Sequence, residues 1–132
     1  MTYKTGVTHA GVFHADDVFS TALLMILNPE IEIRRVMRAP DGVSDDTIVF
    51  DIGFGLYDHH QRDGAVRDNG IKYAAFGLLW RDFGTKLVSD SSVQAFDKAF
   101  VQSLDNADNG GVINAMYQAI ASFVPNWADE DQ

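Results

Sequence analysis

Residues 47–52, TIVFDI, constrain this chain more than any other segment. The run is continuously apolar up to Asp51 instead of alternating. A strand that buries side chains on both faces reads this way, and such strands belong to parallel sheets covered by helices. The flanking segments agree. Residues 3–8, YKTGVT, read as a short strand, and 31–36 as a second, partly alternating one. Between them, residues 16–27 carry Val18, Ala22, Leu23, Met25, Ile26 and Leu27 on a broad apolar face. That face predicts a helix, which Asn28-Pro29 stops. Strand, helix, strand and strand predict an α/β fold with a mainly parallel sheet flanked by helices. A polar loop follows Ile52. Helical stretches near 72–83, 92–106 and 111–123 then make the C-terminal part helical. The tail WADEDQ is acidic and expected to fray.

At 132 residues the chain is expected to form a single domain, 1–132, with a sizeable core. It has no cysteine, which excludes disulfides, thiolate metal sites and cysteine nucleophiles. No apolar run approaches the roughly 20 residues that span a bilayer. The first residues, MTYKTGVTHAGVF, lack the apolar core of a signal peptide, so a cytoplasmic protein is the expectation. Net charge is −9 and no basic stripe is visible, so the surface repels nucleic acid. A polyanionic substrate would have to be drawn in locally, by arginines or by bound cations that reverse the field of an acidic cluster.

In such sheets, sites form outside the carboxyl ends of the strands. Three polar segments fall there: 9–16, Arg38 and 51–60. The 4 histidines occupy only two places. His9 and His14 lie in THAGVFHADD, and His59 and His60 in DIGFGLYDHHQ. Both places are rich in aspartate: Asp16, Asp17, Asp51 and Asp58. Capping aspartates in polar loops are the bland reading. The grouping of every histidine beside carboxylates favours a metal site. Imidazole with carboxylate suits Mn²⁺, with Fe, Co, Zn or Mg as alternatives. Two ions need about six ligands with one carboxylate bridging, and Asp51, at the end of the central strand, is the natural bridge. GFG at 53–55 lacks the third glycine of a dinucleotide fingerprint and reads as a turn. No serine sits in a nucleophile elbow. The HExxH pattern of zinc peptidases is absent as well.

These motifs resemble the DHH phosphoesterase superfamily, whose signature tripeptide stands here as Asp58-His59-His60. The likeness is closest to its melanocyte proliferating gene one branch. THAGVFHADD, IVFDIG, DHHQ and DNADNG at 105–110 match that branch's motifs in order, over about residues 6–127. The resemblance implies two metal ions. His9, His14 and Asp51 would hold the first. Asp16, Asp51, His59 and Asp108 would hold the second, with Asp105 as the alternative to Asp108. It implies that His60 faces the substrate phosphate as donor or general acid, and that Asp58 orients the imidazoles. Arg38 is then either a phosphate contact or a plain surface arginine. Asp17 reads as a helix-start residue. The segment KYAAFGLLW departs from the family's pattern, with Ala74 and Ala75 where a serine-containing stretch is usual.

The activity implied is hydrolysis of phosphodiester or phosphoanhydride bonds, nuclease-like, on a small phosphate-containing substrate or a short oligonucleotide. Family members carry a second domain over the cleft. A partner domain or a homo-oligomer is therefore the expected lid. The competing reading is a non-catalytic module that binds metal or nucleotide.

Overall fold

The computed structural model describes residues 3–53, 55–58, 64–112 and 114–122. The elements run β1 (Thr5–His9), α1 (Ala15–Leu27), β2 (Glu32–Val36), β3 (Thr47–Val49), α2 (Ala75–Phe83), α3 (Asp90–Phe96), α4 (Gln102–Asp108) and α5 (Ala115–Ala121). The strands form a 3-stranded sheet in the order β2-β1-β3. β1 pairs parallel with both neighbours. The fold is α/β, as the strand pattern predicts.

β1 is central because its residues tolerate close cover. A Cβ on Gly6 would lie 2.9 Å from Ile33 Cδ1 and 3.6 Å from Leu24 Cδ1, so glycine lets α1 settle onto the sheet. Leu23 and Leu24 of α1 are buried there with Ile48 and Phe50. Leu79 of α2, Val101 and Leu104 complete the core from the helical part. Asn28 ends α1: its backbone turns extended, and its side-chain amide donates to the Tyr3 carbonyl at 2.8 Å.

Several boundaries differ from the sequence expectation for physical reasons. The ladder of the third strand stops at Val49, not at 52. Phe50 still donates its N–H to the Val7 carbonyl at 3.0 Å but lies beyond the ladder, in an isolated parallel bridge to Tyr57. Asp51 then adopts φ of 56°, a left-handed conformation that no strand continues through. The helix expected from 72 starts at Ala75. Lys72 is bridged to Val66, and Tyr73 donates its N–H to the Ala65 carbonyl, which keeps this stretch extended. The helix expected over 92–106 starts at Asp90, where Ser89 caps it, and runs to Asp108 through a π turn at Asp97–Val101.

That π turn begins at Asp97 and leads into the helical turn that carries Asp105, and both aspartates reach Arg67. Its guanidinium sits 2.7 Å from an oxygen of each aspartate and lies over the Tyr73 ring at 4.1 Å. Arg67 and Asp105 are buried. Removing one partner of a buried ion pair leaves a charge uncompensated, at about 3–5 kcal/mol. Arg67→Met is therefore expected to lower unfolding free energy by about that amount. A urea midpoint unchanged from wild type would show that the network is dispensable.

Candidate metal centre

The acidic and imidazole groups converge where the strands end. His9 is the last residue of β1, and Asp51 follows β3. His14 precedes the first turn of α1 as its N-cap, and Asp17 stands in that turn. Asp108 closes α4, and Tyr117 projects from α5. His9, His14, Asp51, Ile52, Gly53, Asp58, Asp108 and Tyr117 line one cavity of about 520 Å³.

His9 is held at both ring nitrogens. Nδ1 lies 3.1 Å from the Ala10 carbonyl, an acceptor, and so donates to it. Nε2 lies 3.0 Å from Asp17 Oδ2 and 3.1 Å from Asp51 Oδ2. The Asp17 carboxylate first, then Asp51, raises the His9 pKa to about 10. A cation is what this position wants, whether a proton or a metal. One ring nitrogen on a backbone carbonyl and the other aimed at carboxylates is how metal-binding imidazoles are usually oriented. One ligand atom each from His9, His14 and Asp17 lie within 4.8 Å of one another. The donor set fits a divalent cation of the borderline kind.

Asp17 does more than start a helix. It is fully buried. Its Oδ2 accepts the His14 backbone N–H at 2.9 Å, and its Oδ1 accepts from Arg35 at 3.1 Å. Arg35 also donates to the His9 carbonyl and stacks over Phe13. The His9 and His14 contacts and Arg35 hold the Asp17 carboxyl below its usual range despite burial, which pushes the other way.

Asp16 faces a different neighbour. Its oxygens accept the backbone N–H groups of Ala75 at 3.2 Å and Phe76 at 2.7 Å. These are orphan donors at the start of α2, where the helix dipole favours an anion. Burial, then the charges of Asp51 and Asp108, raises the Asp16 pKa well above the usual carboxylate value. Those two carboxylates are therefore close, although Asp16 is not among the described residues lining the cavity. Asp105 is also turned to α2, accepting from the Gly77 N–H at 3.2 Å and from Arg67. Burial pushes its pKa up to about 7 against the pull of Arg67. Asp108, not Asp105, faces the cavity.

Asp58 is buried at the cavity wall. Arg38 is exposed on the segment after β2 and is not among the described residues lining the cavity. His59 and His60 lie outside the described residues. Sequence reasoning misses Arg35 and Tyr117 and gives Asp17 too small a part. Tyr117 shows no motif; it enters because α5 packs beside the site. Its ring stacks on His14 at 6.1 Å, only 11° from parallel. Burial, then the Asp108 carboxylate, raises the Tyr117 pKa to about 12, so the phenol keeps its proton.

Comparison with known proteins places this arrangement in a family. The family model described as Uncharacterised protein family (UPF0160), for MYG1 exonucleases, matches residues 5–130. The human MYG1 exonuclease is 32% identical over 131 residues, covering 78% of this chain and 35% of that protein. The Saccharomyces cerevisiae MYG1 protein is 30% identical over 126 residues, with 78% and 37% covered. The Dictyostelium discoideum MYG1 protein is 28% identical over 131 residues, with 83% and 40% covered. The chain thus spans about 35% of the length of the human relative it matches. No solved structure gives a significant match. Among the described residues, no helix is long and apolar enough to cross a membrane. With the family model covering nearly the whole chain, the sequence belongs to the MYG1 exonuclease family.

Proposed function

We propose that this chain is the metal-binding part of a DHH-type hydrolase that cleaves phosphodiester or phosphoanhydride bonds with two divalent cations, Mn²⁺ foremost. The observation that carries the reading is the cavity at the strand ends, where His9, His14, Asp51, Asp58 and Asp108 meet. The exonuclease name of the human and rodent relatives supports the same chemistry. His9, His14 and Asp51 would hold the first ion, and Asp16, Asp51, His59 and Asp108 the second. Each carboxylate oxygen has more than one lone pair, so Asp16 can accept from α2 and still serve as a ligand. Asp17 holds His9 and the start of α1 in place, its charge answered by Arg35.

Bound as a pair, such ions polarise a phosphoryl group and supply hydroxide near neutral pH. The chain's own residues do the rest. Asp58 orients the imidazoles. His60 donates to the phosphate, as a positioned acid or charge-stabilising donor. Arg38, exposed after β2, would steer an incoming phosphate.

The substrate class follows from charge. With a net charge of −9, a long polyanion meets repulsion except at the cations and near Arg34, Arg35 and Arg38. A small nucleotidyl substrate or a short oligonucleotide end avoids most of that field. A partner domain or second subunit would supply the remaining contacts as a lid. The test supplies Mn²⁺ to the purified chain and compares an activated phosphodiester, a dinucleotide and a 20-nucleotide RNA at low and moderate salt. Cleavage that EDTA abolishes is expected, with the dinucleotide cut faster than the RNA. Added salt should leave RNA cleavage unchanged or help it, unlike the steep loss shown by basic nucleases. Full metal occupancy with no cleavage of any of the three would overturn the hydrolase reading in favour of a metal- or nucleotide-binding module.

A further inference from the structure

The cavity has one wall that no motif accounts for, and Tyr117 forms it. Asp108 and His14 meet there. Asp108 stands at the carboxyl end of α4, in the field of Asp16, and the end of a helix adds partial negative charge. His14 is the N-cap of α1, in extended conformation, and forms a capping box with Asp17. Tyr117 touches both. Its hydroxyl lies beside Asp108 on the wall of the same cavity. Its ring lies nearly parallel to His14 at 6.1 Å, while His9 sits against His14 at 5.6 Å. The His14 ring is therefore clamped between His9 and Tyr117.

Tyr117 is itself anchored to α4. Asn114 caps α5 by accepting the Tyr117 backbone N–H at 2.9 Å. The same Asn114 donates from Nδ2 to Ser103 Oγ of α4 at 2.8 Å. The cap thus ties the tyrosine to the helix that ends in Asp108.

We propose that Tyr117 is a positioning residue of the metal centre, setting Asp108 through its hydroxyl and His14 through its ring. The proposal rests on the two-cation reading above and deepens it. The two contacts belong to ligands assigned to different ions. The phenol and the ring therefore have separable consequences, which a purely structural residue would not show.

The experiment is Mn²⁺ titration by calorimetry on the full chain, with thermal denaturation of the same samples. Tyr117→Phe keeps the ring and removes the donor. It should weaken one Mn²⁺ site by about tenfold, as loss of a group orienting a metal ligand does, and leave the other near wild type. Tyr117→Leu removes both contacts and should weaken both sites. Asn114→Ala frees the cap and should fall between wild type and Tyr117→Leu. Wild-type affinities at both sites in Tyr117→Phe and Tyr117→Leu would overturn the proposal. So would equal losses at both sites in Tyr117→Phe that merely follow a lowered melting temperature. The two-cation reading fails separately, and the proposal with it, if wild-type protein binds no Mn²⁺ or if Asp51→Asn binds two ions unchanged.

Discussion

Asp51→Asn should abolish Mn²⁺ binding at both sites and lower phosphodiester turnover by about a thousandfold or more, while the chain stays folded. Asp51 is the carboxylate proposed to contact both ions, so its charge matters twice. Asparagine is nearly the same size and tolerates the left-handed backbone that Asp51 adopts at φ 56°. The Asp51 N–H donates to the Tyr57 carbonyl at 2.8 Å, a bond that does not depend on the side chain. His9 keeps Asp17 as its partner at 3.0 Å. The substitution therefore removes charge and little else. Asp51→Ala would also lose metal, but it adds roughly 1–2 kcal/mol of backbone strain, because alanine resists positive φ. A comparison of the two by calorimetry and thermal melting separates ligand loss from strain. Two ions bound at wild-type affinity in Asp51→Asn would remove Asp51 from the centre.

The left-handed residue explains why part of this site is legible in sequence and part is not. An apolar run ending in aspartate announces both a buried parallel strand and a polar group at its carboxyl end. His9 and His14 are legible for the same reason, since they follow the first strand and open a helix. Left-handed backbone at Asp51 is not legible, because aspartate carries no signal as strong as glycine. The strand therefore looks longer than the ladder is. Helix starts are misread where tertiary groups decide them. Residues 72–74 lie inside the stretch expected to be helical, yet the Tyr73 N–H goes to the Ala65 carbonyl, and α2 begins where Asp16 reaches its N–H groups. Asp17 looks like an ordinary first-turn carboxylate, because its contact with His9 depends on how the strand and helix are brought together. Arg35 and Tyr117 depend on packing between elements far apart in the chain, which periodicity does not report. The choice between Asp105 and Asp108 was open by one helical turn in the sequence. In the fold, Asp108 lines the cavity, while Asp105 is turned to Arg67 and the Gly77 N–H.

That network carries the largest expected loss of stability. Gly77 lies in the first turn of α2, where a Cβ would overlap Asp105 Oδ2 and come within 2.9 Å of Arg67 Nη2. Asp105 is fully buried, accepts from the Gly77 N–H at 3.2 Å and pairs with Arg67 at 2.7 Å. Glycine stands inside a helix here although it costs about 1 kcal/mol relative to alanine. The reason is that a carboxylate occupies the space a methyl group would fill. Gly77→Ala should push that carboxylate off both partners. Overpacking costs about 1–3 kcal/mol, and a displaced buried charge about 3–5 kcal/mol. Against a typical total of 5–15 kcal/mol, the variant should be mostly unfolded or insoluble at 37 °C. A double-mutant cycle tests the cause. In an Asp105→Ala background the clash with the carboxylate is gone, so Gly77→Ala should cost almost nothing or gain up to about 1 kcal/mol from helix propensity. Urea unfolding of the single and double variants reads the difference. If Gly77→Ala is equally damaging with and without Asp105, the carboxylate is not what excludes a side chain from position 77.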